Sequence, residues 1–105
     1  MTPIVWVGDS KDEVKSFPDD ARRNAGFQLS SVQHGKEPND WKPMSAIGPG
    51  VREIRIRELS GAFRVVYVLR FRQAIYVLHA FQKKTQKTRT SDIELARERL
   101  RSIPR

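Results

Sequence analysis

An alternation of apolar and polar residues from Val51 to Lys83 is the feature that most constrains the fold of this chain. β-Branched residues dominate the segment, and a period of two residues is typical of strands whose two faces meet different surroundings. The glycine of Ser60-Gly61 favours a two-residue hairpin turn, and Arg72-Gln73 is the best position for a second turn. The segment therefore predicts three consecutive antiparallel strands, near residues 51–59, 62–71 and 74–83.

Two such turns would fix the register of the sheet, because residues that pair across antiparallel strands lie on the same face. The predicted pairs are Leu59–Ala62, Arg57–Arg64, Arg55–Val66, Arg64–Phe81 and Val66–His79. Directly opposed arginines repel each other, so their pairing calls for Glu53 or a bound phosphate nearby. An ordinary solvated strand face is the alternative interpretation, and a turn with an odd number of residues would reverse the faces.

In this register, charged side chains collect on one face of the sheet. That face carries Glu53, Arg55, Arg57, Arg64, Arg70, His79, Phe81 and Lys83 around the apolar residues Val66, Val68 and Val77. The other face is apolar and suits a covering layer of helices. It carries Ile54, Ile56, Phe63, Val65, Tyr67, Leu69, Tyr76, Leu78 and Ala80.

The segments around the three strands predict one further strand and three helices. Residues 4–7 form a short β-branched and aromatic run, and Ser10 and Glu13 have the spacing of a helix capping box. Pro18 suits the start of a second helix, whose apolar stripe ends before Gly35 and consists of Ala21, Ala25, Leu29 and Val32. Ser91 and Glu94 repeat the capping-box spacing and open a final helix with Ile93, Ala96, Leu100 and Ile103 on one stripe, ended by Pro104.

The remaining segment, residues 37–50, is rich in Pro and Gly and predicts an irregular connection anchored by Trp41 and Met44. Together these elements predict one α+β domain over residues 1–105. Its expected order is β-α-α-β-β-β-α, with a mainly antiparallel sheet and the helices packed on one face.

The formal charge of +8 indicates a polyanionic partner, since basic groups that neutralise phosphates release condensed counterions. Solubility or an acidic protein partner is the alternative interpretation of the charge. The chain has no cysteine, and His34 and His79 lack a second ligand at metal-binding spacing, so we expect no metal site and no cofactor. The N-terminus shows neither a signal-peptide pattern nor a spanning segment, so a cytoplasmic location is the default expectation.

Residues 82–90 follow the last strand and are basic, rich in hydroxyl groups and free of apolar side chains. This composition fits a phosphate-binding loop. It fits a solvated connection between a strand and a helix equally well, so the loop by itself does not separate the two interpretations.

Three segments, Arg52–Arg57, Gly61–Tyr67 and Leu78–Thr88, resemble the phage-derived, HigB-like branch of the RelE/ParE toxins, and Trp41-Lys42-Pro43 adds to the resemblance. The resemblance covers nearly the whole chain, and residues 79–88 are its most specific part. It implies the same β-α-α-β-β-β-α fold. It also implies a type II toxin–antitoxin toxin that cuts messenger RNA in the ribosomal A site and is inhibited by a helix-turn-helix, HigA-like antitoxin, with a heterotetramer as the expected complex.

The resemblance also suggests roles for individual residues in a cleavage that uses the substrate 2′-hydroxyl as nucleophile, without a metal. Arg64 matches the strand arginine that holds the scissile phosphate, Lys83 and Lys84 fall in the basic loop, and His79 is expected to transfer the proton, with Glu53 as the alternative. The expected RNA contacts are Arg55, Arg57, Arg70, Phe81, Lys87 and Arg89.

The segment after Lys84 departs from several relatives, which place a tyrosine near the end of the domain to orient a base. Phe81 is expected to stack on a base instead, and a core position is its alternative. Two other functions stay open for a chain of this fold. One is inhibition of gyrase in the manner of ParE toxins, and the other is non-catalytic binding of RNA or an acidic protein by the basic sheet.

Overall fold

The fold is given by a computed structural model that describes residues 1–70 and 73–104. Its strands are β1 (Ile4–Trp6), β2 (Trp41–Pro43), β3 (Val51–Glu58), β4 (Gly61–Arg70) and β5 (Ala74–Gln82). Its helices are α1 (Ser10–Lys15), α2 (Asp19–Gln33) and α3 (Thr90–Arg101). The sheet order is β1-β5-β4-β3-β2, and all neighbours are antiparallel except β1 and β5. The predicted α+β class is confirmed.

Within the described ranges, none of the helices has the length and apolar character that crossing a membrane requires.

The hairpin between β3 and β4 turns one residue earlier than predicted. Glu58 pairs with Gly61, so Leu59 and Ser60 form the turn, and Ser60 Oγ donates a 2.6 Å hydrogen bond to Asp20 Oδ1 on α2. The predicted pairs Leu59–Ala62, Arg57–Arg64 and Arg55–Val66 are therefore wrong, and the observed pairs are Arg57–Ala62, Arg55–Arg64 and Glu53–Val66. Each residue of β3 therefore pairs with a β4 residue two positions away from the predicted one. Because this shift is even, the basic residues keep their predicted face.

The pairing of β4 with β5 begins as predicted and then shifts. Arg64 pairs with Phe81 and Val66 with His79, which confirms both predicted pairs. The next pair is Tyr67–Val77, so Leu78 is an extra residue that forms a β-bulge. The bulge reverses the faces of the earlier part of β5: Val77 lies under the helices and not on the basic face, whereas Tyr76 and Leu78 lie on the side opposite to that predicted. The predicted second turn includes Arg72, which lies outside the described residues.

The helices cover both faces of the sheet, which corrects the prediction that they pack on one. α1 and α2 bury one core through Val14, Phe17 and the predicted stripe of α2. α3 packs on the other face through Ile93, Ala96 and Leu100, over a second core of Val66, Val68 and Leu78. The physical reason is the bulge, which turns Leu78 and Tyr76 to the face that was predicted to have no helices. There they join Val66 and Val68, and the wider apolar surface can bury a helix.

Residues 37–50 were expected to be irregular throughout, but they contain the short strand β2. Both predicted anchors are confirmed: the guanidinium of Arg52 lies 4.0 Å from the centre of the Trp41 ring, and Met44 is buried in the second core. The capping box predicted at Ser10 is wrong, because the Glu13 carboxylate turns to β5 instead. α3 begins at Thr90, one residue before the second predicted box, and no side-chain cap forms there among the described residues.

Candidate nucleic-acid interface

The part of the sheet that α3 leaves uncovered carries a cluster of cations, which we call the basic face: Lys42, Arg55, Arg57, Arg64 and Lys83. β3 and β4 place Arg55 directly opposite Arg64, and Phe81 on β5 continues the same row. Lys42 on β2 pairs with Glu53 in the neighbouring row. Four strands therefore contribute to one surface, which explains how cations far apart in sequence come together.

Glu53 is the only buried acid at the centre of the basic face among the described residues, and its side chain is fully inaccessible to solvent. Its Oε1 lies 3.4 Å from Arg64 Nε and 4.0 Å from Lys42 Nζ, and its Oε2 accepts a 2.9 Å hydrogen bond from Thr88 Oγ1. Arg64 is 5% exposed and donates from Nη1 to the Phe63 carbonyl at 2.9 Å. Glu53 thus supplies the compensating charge that the opposed arginines Arg55 and Arg64 require.

This centre is incompletely hydrogen-bonded. Of the four buried side-chain nitrogen and oxygen atoms that lack a hydrogen-bond partner in the described part of the chain, three lie here: Glu53 Oε1, Arg55 Nε and Arg64 Nε. The fourth is Ser10 Oγ. Buried polar groups are nearly always paired, because leaving one unpaired costs about 1–3 kcal/mol. Incompletely paired buried charges beneath a surface of clustered cations make this centre a candidate site for an anion such as a phosphate.

The surroundings shift the ionisation of two cations on this face. Burial lowers the pKa of Arg64, and the positive charges of Arg55 and Arg57 lower it further, while Glu53 opposes them. Arg64 nevertheless stays charged, since a guanidinium is not deprotonated in proteins. Partial desolvation, together with Arg64, lowers the pKa of Lys83, and Glu53 again opposes the shift. The shift makes the Lys83 ammonium a stronger acid than that of an ordinary lysine.

The basic loop, residues 83–89, extends from the edge of the basic face. Lys83 N donates to the Ala62 carbonyl at 2.8 Å, which continues the β4–β5 ladder, and Thr85 Oγ1 donates to the Lys87 carbonyl at 2.6 Å. The loop and its neighbours enclose only a shallow depression, of about 10 Å³. The exposed side chains around it include Lys84, a predicted catalytic residue, and the predicted RNA contacts Lys87 and Arg89. This geometry suits a surface that follows a nucleic-acid backbone.

His79 lies on the same face of the sheet as Phe81, but it is enclosed and does not contribute to the basic face. It is 5% exposed; its Nδ1 lies 3.0 Å from Glu13 Oε1 and its Nε2 lies 2.7 Å from Asp92 Oδ1. Burial alone would lower the pKa of His79, but the hydrogen bonds to the two carboxylates, of Glu13 and Asp92, outweigh it and raise the pKa. Both nitrogens that a catalytic proton transfer would use are therefore occupied. Phe81 stacks on the ring, with centroids 5.0 Å apart.

Arg99 on α3 completes this second cluster, which we call the His79 cluster: Glu13, His79, Asp92 and Arg99. Arg99 Nη1 and Nη2 donate to the two oxygens of Glu13 at 2.8 and 3.1 Å, and Nη1 also donates to the Leu78 carbonyl at 2.9 Å. Glu13 further accepts from Ala80 N at 3.1 Å. Although burial opposes it, the hydrogen bonds from His79, Arg99 and Ala80 N lower the pKa of Glu13 to about 2. The cluster ties α1, β5 and α3 together.

The structure brings most of the predicted site residues together and separates two of them. Arg55, Arg57, Arg64 and Phe81 share the uncovered face, and Lys83 begins the adjoining loop. His79 is enclosed, and Arg70 lies six residues beyond Arg64 on β4, at a distance of about 20 Å along the strand. Residues 1–70 and 73–104 contain no group of three or more His, Asp or Glu side chains arranged to hold a metal ion.

The sequence interpretation missed Lys42, Thr88 and the partners of His79. Lys42 lies in a segment expected to be irregular, and Thr88 is one of several hydroxyl residues in a loop with no periodic pattern. Glu13 was assigned to a helix cap. A Glu on the same predicted strand face as the arginines was the one signal available, and it did identify Glu53 as a compensating charge.

Comparison with known proteins places this chain among phage-derived proteins. The profile of the family described as phage-derived protein Gp49-like matches residues 12–101. No curated protein sequence matches the chain. A solved structure of a double arginine-to-alanine mutant of the Escherichia coli toxin RelE, in the free state, is similar, with a TM-score of 0.67 over 98% of each chain at 14% identity. The predicted resemblance to a phage-derived branch with a RelE-like fold is confirmed. This chain has the RelE fold and belongs to the Gp49-like family of phage-derived proteins.

Proposed function

We propose that this protein is the toxin of a type II toxin–antitoxin system and that it cleaves messenger RNA on the ribosome. One observation carries the proposal: the buried Arg64 and the half-buried Arg55 lie opposite each other at the centre of a basic face, and the Nε atom of each lacks a hydrogen-bond partner. The phage-derived family and the likeness to a protein described as a toxin support the same conclusion. The formal charge of +8 would draw the protein to ribosomal RNA.

The proposed reaction is an attack by the 2′-hydroxyl of the substrate on the adjacent phosphorus. The 2′-oxygen–phosphorus bond forms, the bond to the 5′-oxygen breaks, and the products are a 2′,3′-cyclic phosphate and a 5′-hydroxyl end. Arg64 and Arg55 lie where two guanidinium groups can stabilise the charge that develops on the phosphorane.

Lys83 is the proposed acid. Its lowered pKa suits transfer of a proton to the leaving 5′-oxygen, while the proton of the 2′-hydroxyl is released to solvent. Lys84, Lys87 and Arg89 would hold the flanking phosphates. Phe81, whose other ring face is stacked on His79, would contact a base. The role first expected for His79 is not part of this mechanism, because both of its nitrogens are bound to carboxylates.

A toxin of this kind requires an inhibitor. We propose a helix-turn-helix, HigA-like antitoxin that assembles with the toxin as a heterotetramer in the cytoplasm. The excess of 20 basic over 12 acidic residues favours an acidic antitoxin segment lying across the basic face.

Toeprinting on translating ribosomes tests the proposed activity. We expect cuts in the A site with the wild-type protein, and a rate about 100- to 1,000-fold lower with Arg64→Ala, since one electrostatic donor to the transition state is lost. Arg22→Ala is the matched control, because Arg22 lies on α2 and forms an exposed ion pair with Asp19.

Two results would overturn the proposal. The first is a folded wild-type protein that makes no cuts on ribosomes, and the second is an Arg64→Ala variant that cuts as fast as wild type. Accumulation of cleaved gyrase–DNA complexes in the first case would point to a ParE-type inhibitor instead.

A further inference from the structure

We infer that Glu53 is a positioning residue that joins the buried Arg64 of the basic face to the basic loop through Thr88, so that strand and loop contact RNA as one rigid unit. This inference rests on the proposed function and names how its site is held together. Glu53 itself would not touch the substrate, since its side chain is fully buried.

The two oxygens of Glu53 face different parts of the molecule. Oε1 lies 3.4 Å from Arg64 Nε, on the strand side, whereas Oε2 accepts the 2.9 Å hydrogen bond from Thr88 Oγ1, on the loop side. Thr88 lies 35 residues away in sequence, at the end of the basic loop. Among the described residues, this is the side-chain hydrogen bond that attaches the loop to β3. Lys83 N holds the start of the loop to β4, and the Glu53 carboxylate holds its far end, at Thr88, close to Arg64.

Stability alone does not account for a carboxylate at this position. Burying an ion is costly, and replacing a buried ion pair by apolar residues is often neutral or stabilising. Here the cost is greater, because Glu53 Oε1 and Arg64 Nε are close but not hydrogen-bonded. An arrangement that is poor for folding but fixes two groups relative to each other is typical of a functional site.

Glu53 also acts on Lys83 through its charge. The charged groups that face Lys83 are Arg64, Lys42 and Arg55, which lower its pKa together with partial desolvation, and Glu53, which raises it. Glu53 is the one negative charge in this set. Loss of its charge should therefore lower the pKa of Lys83 further, whereas loss of the Thr88 hydroxyl should leave that pKa unchanged.

The experiment compares Glu53→Gln, Thr88→Val and Thr88→Ser with the wild type. Three quantities are measured: single-turnover RNA cleavage on ribosomes, the titration of the Lys83 ammonium by NMR, and backbone order of residues 83–89 by NMR relaxation. Thr88→Val keeps the shape of the side chain and removes only the donor, and Thr88→Ser restores the donor.

We expect Thr88→Val to slow cleavage roughly 10- to 100-fold, to loosen the loop and to leave the Lys83 titration in place. Thr88→Ser should recover both cleavage and loop order. Glu53→Gln should slow cleavage at least as much and should also move the Lys83 titration to lower pH. If Glu53→Gln fails to fold, the Thr88 pair still decides the inference.

The inference is wrong if Thr88→Val leaves loop order and cleavage at wild-type values, or if Glu53→Gln folds and leaves the Lys83 titration unmoved. These outcomes are distinct from failure of the proposed function. If the wild type makes no cuts, the loop order and the Lys83 titration still show whether Glu53 joins strand and loop.

Discussion

Two buried clusters of charge lie side by side on one face of this sheet, and they differ in how completely their polar groups are paired. In the His79 cluster, both ring nitrogens are hydrogen-bonded and Glu13 is held by Arg99 and by the backbone of β5. Around Glu53, three buried atoms have no hydrogen-bond partner among the described residues. The clusters are adjacent, since Val66 pairs with Glu53 on one side and with His79 on the other.

The difference separates a structural role from a binding role. α3 covers the His79 cluster, so its groups must satisfy one another. The Glu53 cluster lies beneath the cations of the basic face, and its three unpaired atoms are themselves inaccessible to solvent. A buried atom without a hydrogen-bond partner does not by itself mark a binding site, since Ser10 Oγ on α1 is also buried and unpaired but lies away from the basic face. Unpaired atoms indicate a site here because they coincide with clustered cations.

The largest expected effect concerns the stability that the His79 cluster supplies. Glu13→Ala should lower the free energy of unfolding by about 3 kcal/mol, because it leaves Arg99 and His79 without their shared carboxylate. Urea denaturation followed by circular dichroism measures the change. Asp12→Ala, one residue earlier on the exposed side of α1, is the control and should change stability by no more than about 0.5 kcal/mol. Equal losses in the two variants would contradict a structural role for the cluster.

The pH dependence of stability should carry the signature of the same cluster. The pKa of His79 is raised on folding, so its contribution is complete below the unfolded value of 6.5 and is lost as pH rises through the folded pKa. The pKa of Glu13 is lowered from 4.5 to about 2, so its contribution is present above 4.5 and is lost as pH falls towards 2.

Urea denaturation across this pH range measures both slopes. His79→Gln should remove most of the alkaline slope and weaken the acid one, because Glu13 loses its cationic partner. An alkaline slope that persists unchanged in His79→Gln would show that another group titrates there.

The smallest expected effect tests the opposed arginines of the Glu53 cluster. Arg55→Gln should raise the free energy of unfolding by about 0.5 kcal/mol, because it removes repulsion across the Arg55–Arg64 pair. It should also reduce the slope of RNA affinity against salt by about one. Arg57→Gln is the matched control: Arg57 is exposed and faces Ala62, so the salt slope should fall without a gain in stability. A loss of stability in Arg55→Gln greater than in Arg57→Gln would contradict this account.

The sequence predicted the elements that depend on local pattern. Period-two alternation located β3, β4 and β5 to within a residue or so at each end, and the stripe of Ala21, Ala25, Leu29 and Val32 identified the buried side of α2. Face assignment also held for Arg55, Arg57 and Arg64, because the early turn shifted the pairing by an even step. These features follow from residues close together in the chain.

The bulge at Leu78, the strand β2 and the position of α3 needed the folded chain. No turn residue or glycine marks the bulge in the sequence, and its position depends on how β5 packs against both neighbours and both helical layers. The partners of His79 were equally hidden, since Glu13 and Asp92 are 66 and 13 residues away and Glu13 also fits a helix cap.

By itself, the sequence determined that a basic strand face exists and which arginines it carries, because alternation and even-numbered register shifts preserve the side on which a residue lies. Tertiary structure decided which buried polar atoms on that face have hydrogen-bond partners and which have none. The physical reason is that hydrogen bonding between side chains depends on distances of a few tenths of an ångström between elements remote in sequence. His79 is enclosed among carboxylates between α1 and α3, whereas Arg55 and Arg64 pair at the centre of the basic face with Nε atoms that no side chain satisfies.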